Sequence, residues 1–329
     1  MEAAGDDQVG VVGDTKPEEL PLEYIKLNCE VDPGMSEETV KKALEFKAQP
    51  TDIMISTFPK TGTTLLQWMC HQIRTGGHTD FEDIYQVSPW IMLGHELDMD
   101  PDEYGSRFSP RIFKSHARLA SEFRGCKYLV PIRDPTKVTI SFYNFLKSKS
   151  MPEEVLGTDV SDFLLNKKFV KGEGKRASIW DFYKEYYQCR DCSAMQVVVY
   201  EDLVRDMPSS IKIIADFMNI APKPELVDTV AKMCTKDYMS EHMSKMDESW
   251  VHARVVKLDR SESSKAMWSP AIRIVKDGHK DVLSEEALKF LNEMWEKEMS
   301  PLGFPDYAAF AKYFTDKNAK KLEIIESKQ

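Results

Sequence analysis

The sequence predicts a single α/β domain in which a parallel sheet is flanked by helices. From residue 50 onward, short apolar runs alternate with helix-like segments, as in sheets whose parallel strands are joined by crossover helices. The first apolar run, Ile53–Ser56, leads through a turn of small residues directly into a helix-like segment. A strand, a tight turn and a helix start in this order make a P-loop-like anion-binding loop.

The order of the elements follows from the apolar spacing and from the positions of proline. Apolar runs predict strands at Ile53–Thr57, Arg111–Ser115, Tyr128–Arg133 and Gln196–Tyr200. Helical spacing predicts helices at Gly62–Arg74, Pro135–Lys147, Ala177–Gln188, Pro208–Met218 and Glu225–Cys234. The stretch from Trp250 to Leu283 is polar and irregular, and we expect a long loop there. A helix at Ser284–Met299, capped by Ser284, and a last helix at Asp306–Phe314 complete the pattern.

The domain is expected to occupy residues 21–320. Residues 1–20 are acidic with few large apolar side chains, which predicts a flexible tail, and residues 321–329 are interpreted as a C-terminal tail. The six cysteines are scattered rather than clustered, a pattern typical of reduced thiols in the cytoplasm. We find no secretory signal pattern and no apolar run near the ~20 residues of a membrane helix.

The net charge of −10 argues against nucleic acid as a partner, because nucleic-acid binding relies on basic surface. A chain this acidic can bind an anionic ligand only where it concentrates positive charge locally. The positions of Lys and Arg beside the predicted loops are therefore informative.

The turn after the first strand reads Thr57-Phe-Pro-Lys60-Thr-Gly62-Thr-Thr64. The first amides of a helix have no partner within the helix, and the helix dipole adds partial positive charge there. The P-loop of nucleoside triphosphatases has its Lys after the second Gly. Here Lys60 precedes Gly62 by two residues, and Thr57 stands where the first Gly of that motif would be. The loop is P-loop-like with a differently placed lysine; alone, it could also be a plain turn.

Three further segments end predicted strands in polar residues. The second strand ends in Lys114-Ser-His116, and a His at a strand's carboxyl end suits a general base. The third ends at Arg133, with Ser141 eight residues later in the following helix, a pair that could bind one phosphate. The fourth ends in Tyr200-Glu-Asp. Taken singly, each has a structural alternative: a hydrogen-bonded His, an Arg paired with Asp134, or a Tyr that covers the core.

Together these segments resemble the cytosolic sulfotransferase family, whose enzymes use 3′-phosphoadenosine 5′-phosphosulfate (PAPS). The family's phosphosulfate loop, Pro-Lys-Ser/Thr-Gly-Thr-Thr, matches Pro59–Thr64, and its Phe-Lys-Thr/Ser-His segment matches Phe113–His116. Its Arg and Ser eight residues apart match Arg133 and Ser141, and its Tyr-Glu-Asp matches Tyr200–Asp202. Order and spacing agree over roughly residues 50–205 and more loosely in the C-terminal third.

The resemblance implies a role for each matching residue on the donor side. The 5′-phosphosulfate would be held by Thr61, Gly62, Thr63 and Thr64. The 3′-phosphate would be bound by Arg133 and Ser141, and the adenine side by Tyr200 and Thr235. PAPS would be the co-substrate and PAP, the 3′,5′-bisphosphate, its product.

The resemblance also implies the catalytic groups. Lys60 would stabilise charge on the bridging oxygen, Lys114 would assist, and His116 would take the proton from the acceptor. A sulfuryl group carries less charge than a phosphoryl group, and we see no acidic pair for magnesium, so no metal is expected.

The chain departs from the family pattern at two places on the donor side. Leu65 follows Thr64 where the family has a Trp that stacks on adenine. The late Arg-Lys-Gly-x-x-Gly signature is altered; the preferred alignment places its first Arg at Arg273 and its last Gly at Gly278. Arg273 would then bind the 3′-phosphate, with Lys276 nearby. A second alignment sets Lys276-Asp-Gly278 over Arg-Lys-Gly, and a solvated basic loop is the structural alternative.

The residues expected to bind the acceptor are apolar side chains in the segments that differ most from the family. Expected contributors are Gln86–Leu97, with Trp90 and Met92, then Phe142 and Met239–Trp250. They suggest a small-molecule acceptor that is partly apolar. The family's dimer motif is not recognisable, so the oligomeric state stays open.

Two other functions remain open from the sequence. A non-catalytic PAP- or PAPS-binding protein on the same fold would need no base, so the intact Lys60, Lys114 and His116 argue against it. A P-loop kinase would need the Gly-Lys order and a metal-binding acid, and we find neither.

Overall fold

The computed structural model describes residues 20–23, 36–121, 124–149, 151–166, 170, 172, 177–268 and 282–328. Its strands are β1 Ile53–Ser56, β2 Ile112–Ser115, β3 Lys127–Ile132 and β4 Met195–Val199. Its helices are α1 Glu37–Ala43, α2 Thr63–Thr75, α3 Pro101–Gly105, α4 Pro135–Ser148, α5 Glu153–Leu156, α6 Val160–Asn166, α7 Ile179–Gln188, α8 Tyr200–Arg205, α9 Met207–Phe217, α10 Pro224–Met233, α11 Lys236–Glu241, α12 Ser249–Lys257, α13 Glu262–Met267, α14 Glu285–Glu298 and α15 Tyr307–Glu326.

The four strands form one parallel sheet in the order β2-β1-β3-β4. Their side chains are almost entirely buried, which explains why the strands read as continuous apolar runs rather than alternating patterns. The predicted α/β class is therefore confirmed, and each predicted strand lies within one residue of its observed bounds.

All four strands end at the same edge of the sheet because they run parallel. His116 follows β2, Arg133 follows β3 and Tyr200 follows β4, while β1 runs into the loop that carries Lys60. The crevice beyond the carboxyl ends of parallel strands is where α/β proteins bind ligands. The topology thus gathers most of the residues singled out in the sequence at one edge.

The region from Trp250 to Leu283 is not wholly irregular as predicted. It contains most of α12 and the whole of α13, and residues 269–281 lie outside the described residues. Val251 and Val255, one helical turn apart, are fully buried and anchor α12. Because the outer face of α12 is polar, this short apolar stripe was not recognised as a helix in the sequence.

The C-terminal helix is longer than predicted and replaces much of the expected tail. The sequence predicts a helix over Asp306–Phe314 and a tail from residue 321, whereas α15 continues to Glu326. Phe310, Phe314 and Ile325 are buried along it. The predicted helix ended at Phe314, because the Lys-rich stretch before Ile325 resembles a solvated end.

Helix α15 also covers the edge strand β4. The side-chain amide of Asn318 donates to the Val197 carbonyl at 3.1 Å and accepts from Gln196 Nε2 at 2.9 Å. An edge strand exposes unpaired backbone groups that can pair with another chain. These bonds occupy part of that edge, so α15 is integral to the sheet.

Replacing Phe310 by Leu tests whether α15 is an integral part of the domain. Phe310 is fully buried and packs against Tyr183, Trp295 and Phe304. We expect the variant to lower the free energy of unfolding by about 1–2 kcal/mol, measured by urea denaturation. The control is Ile324→Ala on the same helix, at a side chain 56% exposed, which should change stability by less than ~0.5 kcal/mol. Equal, negligible effects would contradict the packing of α15.

Candidate active site

The loop between β1 and α2 has the backbone shape of an anion-binding loop, and this loop is called the anion cradle below. Lys60 has φ 71°, in the left-handed region, and Gly62 has φ 120° at the cap position of α2. The Thr61 hydroxyl donates to the Phe58 carbonyl at 2.7 Å, and the Thr63 hydroxyl lies 2.8 Å from that of Thr57. These hydroxyls hold the loop in shape. The first amides of α2, at Thr63 and Thr64, have no intrahelical acceptors.

Gly62 is required by a neighbouring ring as well as by its dihedral angle. A Cβ at this position would lie 2.7 Å from Cδ2 of Tyr200. The Tyr200 ring therefore packs directly on the loop backbone, and a side chain at position 62 would displace it. This contact places the Tyr200 ring against the loop that carries Lys60.

Arg133 lies on the other side of Tyr200. Its guanidinium carbon is 4.1 Å from the Tyr200 ring centroid, and its Nη1 donates to the Lys60 carbonyl at 2.8 Å. No salt bridge joins Arg133 to Asp134 in the described part of the chain; Asp134 instead caps α4 by accepting from the Thr136 amide at 2.7 Å. The alternative of a local Arg–Asp pair is thus not what the structure has.

The Arg133 side chain keeps a donor for a further partner. Its Nε is buried and has no hydrogen-bond partner among the described residues. A buried guanidinium N–H without an acceptor is costly unless a ligand supplies one. A phosphate oxygen is a strong acceptor for this group, and the arrangement therefore fits an anionic ligand beside the loop.

Two sets of hydrogen bonds from tyrosine hydroxyls hold the backbone at Arg133 and Asp134. The Tyr183 hydroxyl bonds to the Arg133 carbonyl, and the Tyr307 hydroxyl donates to Glu201 Oε2 at 2.7 Å. Glu201 Oε1 in turn accepts from the Asp134 amide at 3.2 Å. Burial raises the pKa of both phenols well above the usual tyrosine value, so they remain protonated donors.

His116 is held by the residue that follows β1. Its Nδ1 lies 2.8 Å from the Thr57 carbonyl oxygen and 3.1 Å from the Thr57 hydroxyl. A carbonyl oxygen can only accept, so Nδ1 carries the proton and the lone pair resides on Nε2. The backbone of the cradle thereby orients the imidazole. Thr57 was not singled out as a partner of His116, although its place directly after β1 was a usable signal.

Lys114 is buried beneath an aromatic wall. Its ammonium donates to the Tyr85 hydroxyl at 2.7 Å and lies 3.8 Å from the Trp90 ring centroid. The Trp90 and His116 rings meet edge to face, with centroids 5.2 Å apart. Trp90, expected on the acceptor side, therefore links Lys114 to His116. Nothing in the local sequence of Tyr85 indicated its contact with Lys114.

Lys60 projects toward helix α4. Its ammonium lies 4.1 Å from the Phe145 ring centroid. Phe145 stands one helical turn after Ser141, so the two residues share a face of α4. This spacing could have identified Phe145 from the sequence.

Among the described residues, Thr235, Ser141 and Leu65 share no hydrogen bond or ring contact with the residues above. Thr235 is exposed, and its side chain accepts from the Tyr238 amide as the cap of α11. Ser141 and Leu65 are half-buried on α4 and α2. Arg273, Lys276 and Gly278 lie outside the described residues.

Metal and membrane features were searched within the described ranges. Among residues 36–121, 124–149, 177–268 and the other described segments, no group of His, Cys, Asp and Glu could hold a metal ion. In the same segments, no helix has the length and apolar content needed to cross a membrane.

Comparisons with known proteins agree on one family. The model of the sulfotransferase domain matches residues 50–303. Mouse sulfotransferase 1E1 is 27% identical over 224 residues, covering 64% of this chain and 74% of the mouse protein. A rabbit amine sulfotransferase is 28% identical over 211 residues, covering 61% of this chain and 66% of the rabbit protein.

Solved structures show the same fold at low sequence identity. The structure of mouse sulfotransferase SULT7A1 complexed with PAP superposes with a TM-score of 0.56 and 18% identity, over 81% of this chain and 90% of the mouse chain. Retinol dehydratase in complex with androsterone and PAP gives a TM-score of 0.52 and 16% identity, over 86% of this chain and 85% of the other.

Proposed function

Because this chain belongs to the sulfotransferase family, we propose that it transfers the sulfuryl group of PAPS to a hydroxyl or amine of a small-molecule acceptor. The observation that carries the proposal is the His116 bond to the Thr57 carbonyl, which leaves the Nε2 lone pair as proton acceptor beside the Lys60 loop. A base, a cation and an anion cradle thus share one sheet edge. The cytosolic family that the motifs resemble also favours the cytoplasm as the site of the reaction.

The donor side fits PAPS through the loop and through Arg133. We assign the 5′-phosphosulfate to the amides at the start of α2, where Gly62 leaves the backbone accessible. The 3′-phosphate is assigned to Arg133, whose buried Nε awaits an acceptor, together with Ser141. When bound, PAPS supplies an activated sulfuryl group and a phosphate leaving group.

The chain's own groups then have distinct tasks. His116 Nε2 accepts the proton of the acceptor's hydroxyl or amine as that atom attacks sulfur. We assign to the Lys60 ammonium the stabilisation of the negative charge that develops on the departing phosphate oxygen. Lys114 supports this charge from beneath the Trp90 ring, because its burial keeps its field unscreened by water.

The acceptor side is lined by aromatic residues, which favours a partly apolar acceptor. Trp90 is packed between His116 and Trp268, with Phe145 facing Lys60. One solved relative of the same fold binds androsterone. We propose acceptors of similar size that carry a hydroxyl or an amine.

A transfer assay with a chemically diverse acceptor panel tests the function. The full-length protein is incubated with sulfate-labelled PAPS and with phenols, alcohols, amines and sterols. We expect labelled product in the presence of a chelator. PAP binding without any transfer would instead support a non-catalytic binding protein, and magnesium-dependent ATP turnover would support a P-loop kinase.

Replacing Gly62 by Ala tests the cradle itself. The new Cβ would meet the Tyr200 ring at 2.7 Å, on a backbone with φ 120° that L residues rarely adopt. We expect PAP affinity, measured by calorimetry, to fall roughly tenfold or more, equivalent to ~1.4 kcal/mol. Gly303→Ala is the control, since it also has positive φ but no atoms near the added methyl group. Unchanged PAP affinity in Gly62→Ala would contradict the assignment.

A further inference from the structure

A buried ion pair lies beside the site and has no role in the reaction as proposed. Lys149 Nζ and Glu248 Oε2 are 2.8 Å apart, with side chains 1% and 4% exposed. Lys149 follows α4, and Glu248 directly precedes α12 with φ 69°. Desolvation of two charges offsets most of their attraction, so such a pair is poorly explained by stability alone.

The Lys149 ammonium joins a third segment to this pair. It donates to the Met267 carbonyl at 2.7 Å, at the last residue of α13. One side chain therefore ties together the end of α4, the start of α12 and the end of α13. An apolar side chain of similar volume could fill the space, but it could not donate to that carbonyl.

The segment held in this way reaches the base through two aromatic contacts. Trp268 follows Met267, and its ring meets Trp90 edge to face with centroids 5.5 Å apart. Trp90 in turn meets His116 at 5.2 Å. Displacing the Met267 backbone would therefore move the Trp268 ring, which packs against Trp90 beside His116.

Two arginines at and just after the C-terminal end of α12 bond to the segment Gln86–Leu97, which is expected to line the acceptor pocket. Arg254 Nε donates to the Leu97 carbonyl at 2.7 Å, and Arg260 Nη2 donates to the His95 carbonyl at 2.7 Å. Helix α12 thus bridges the predicted pocket segment Gln86–Leu97 and α4. At its other end, α12 is held to the end of α4 by the Lys149–Glu248 pair.

We propose that Lys149 and Glu248 are positioning residues for the acceptor: the pair holds Trp268 against Trp90 and so sets the wall of an apolar acceptor pocket beside His116. This inference rests on the proposed function. It concerns the acceptor first, because Gly62, Tyr200 and Arg133, assigned to the donor, contact one another. On the donor side, Lys149 reaches the Phe145 ring, which Lys60 also faces, at 5.1 Å, so PAP affinity is measured as well.

The test separates positioning from stability with a double variant. Lys149→Met alone removes the ammonium that faces the buried Glu248 carboxylate, and we expect a lower melting temperature. Lys149→Met combined with Glu248→Met replaces the pair by apolar side chains of similar volume and should restore most of the stability. It does not restore the bond to the Met267 carbonyl.

The readout is equilibrium binding of 2-naphthol, an apolar phenol, to the full-length protein saturated with PAP. For the double variant we expect an affinity for 2-naphthol roughly tenfold weaker than wild type, with PAP affinity within about twofold. The control is Lys147→Met, at an exposed lysine in the last turn of α4, two residues before Lys149; this variant should bind both ligands like wild type.

Wild-type affinity for 2-naphthol in the double variant would overturn the proposal, because the pair would then serve stability alone. A parallel loss of PAP affinity would overturn it too, since the effect would not be confined to the acceptor. Absence of 2-naphthol binding to the wild type would reject the apolar pocket itself. The binding assay needs no sulfate transfer, so failure of the proposed function shows separately in the labelled-PAPS assay.

Discussion

Replacement of His116 by Ala is expected to lower kcat at least ~100-fold for any acceptor that the wild type sulfates. The group that the substitution removes is the Nε2 lone pair of the imidazole, whose Nδ1 bonds to the Thr57 carbonyl. Initial rates with labelled PAPS measure the effect. PAP affinity, followed by calorimetry, should stay within about twofold, because Arg133 and the α2 amides are untouched.

A second substitution separates the base from the structural role of the imidazole. Asn at position 116 can still donate an amide hydrogen to the Thr57 carbonyl, yet it cannot accept a proton at neutral pH. His116→Asn should therefore be as impaired as His116→Ala while unfolding at the wild-type temperature. Wild-type turnover in either variant would refute the assignment of His116 as the base.

Replacement of Lys60 by Met is expected to lower kcat by roughly 10²–10³-fold, the usual loss when a preorganised electrostatic group is removed. Methionine has nearly the same length, so it can keep the packing against Phe145, which the ammonium now faces at 4.1 Å. Because the loss concerns charge that develops during transfer, the KM for PAPS should change far less than kcat. Steady-state kinetics at saturating acceptor provide the measurement.

Lys289→Met serves as the matched control for Lys60. Lys289 is exposed on α14 and its loss changes the net charge equally, so a general electrostatic effect would appear in both variants. We expect Lys289→Met to retain wild-type kcat. A Lys60 variant that loses PAPS affinity but keeps kcat would show that the lysine binds the ground state instead of stabilising the departing phosphate.

The sequence was sufficient to predict that the candidate residues with a fixed place in local order lie at the same edge of the sheet. His116, Arg133 and Tyr200 each follow an apolar run, and the parallel topology brings such positions to one edge. The Lys60–Gly62 spacing also distinguished this loop from that of a nucleoside triphosphatase. At these positions the local pattern and the parallel topology agree, so the place of these residues at the sheet edge could be predicted from the sequence.

Contacts between distant segments were beyond prediction. The stacking of Arg133 on Tyr200 joins residues that follow two different strands, and Lys149 meets Glu248 from 99 positions away. Helix α12 was missed for a related reason: its two buried valines make a weak stripe, and the helix is fastened by Arg254 to a distant loop. Tertiary contacts of this kind override the polar local pattern.

The Asn318 bond to β4 has a consequence for biosynthesis. The residue that shields the Val197 carbonyl is added 121 positions after it. At a translation rate of roughly 5–20 residues per second, the strand waits about 6–24 s on the ribosome before its covering helix emerges. During that interval the edge of β4 lacks the helix that covers part of it. Chaperone demand should therefore be highest late in synthesis, and slow codons upstream of α15 should lower the yield of folded protein.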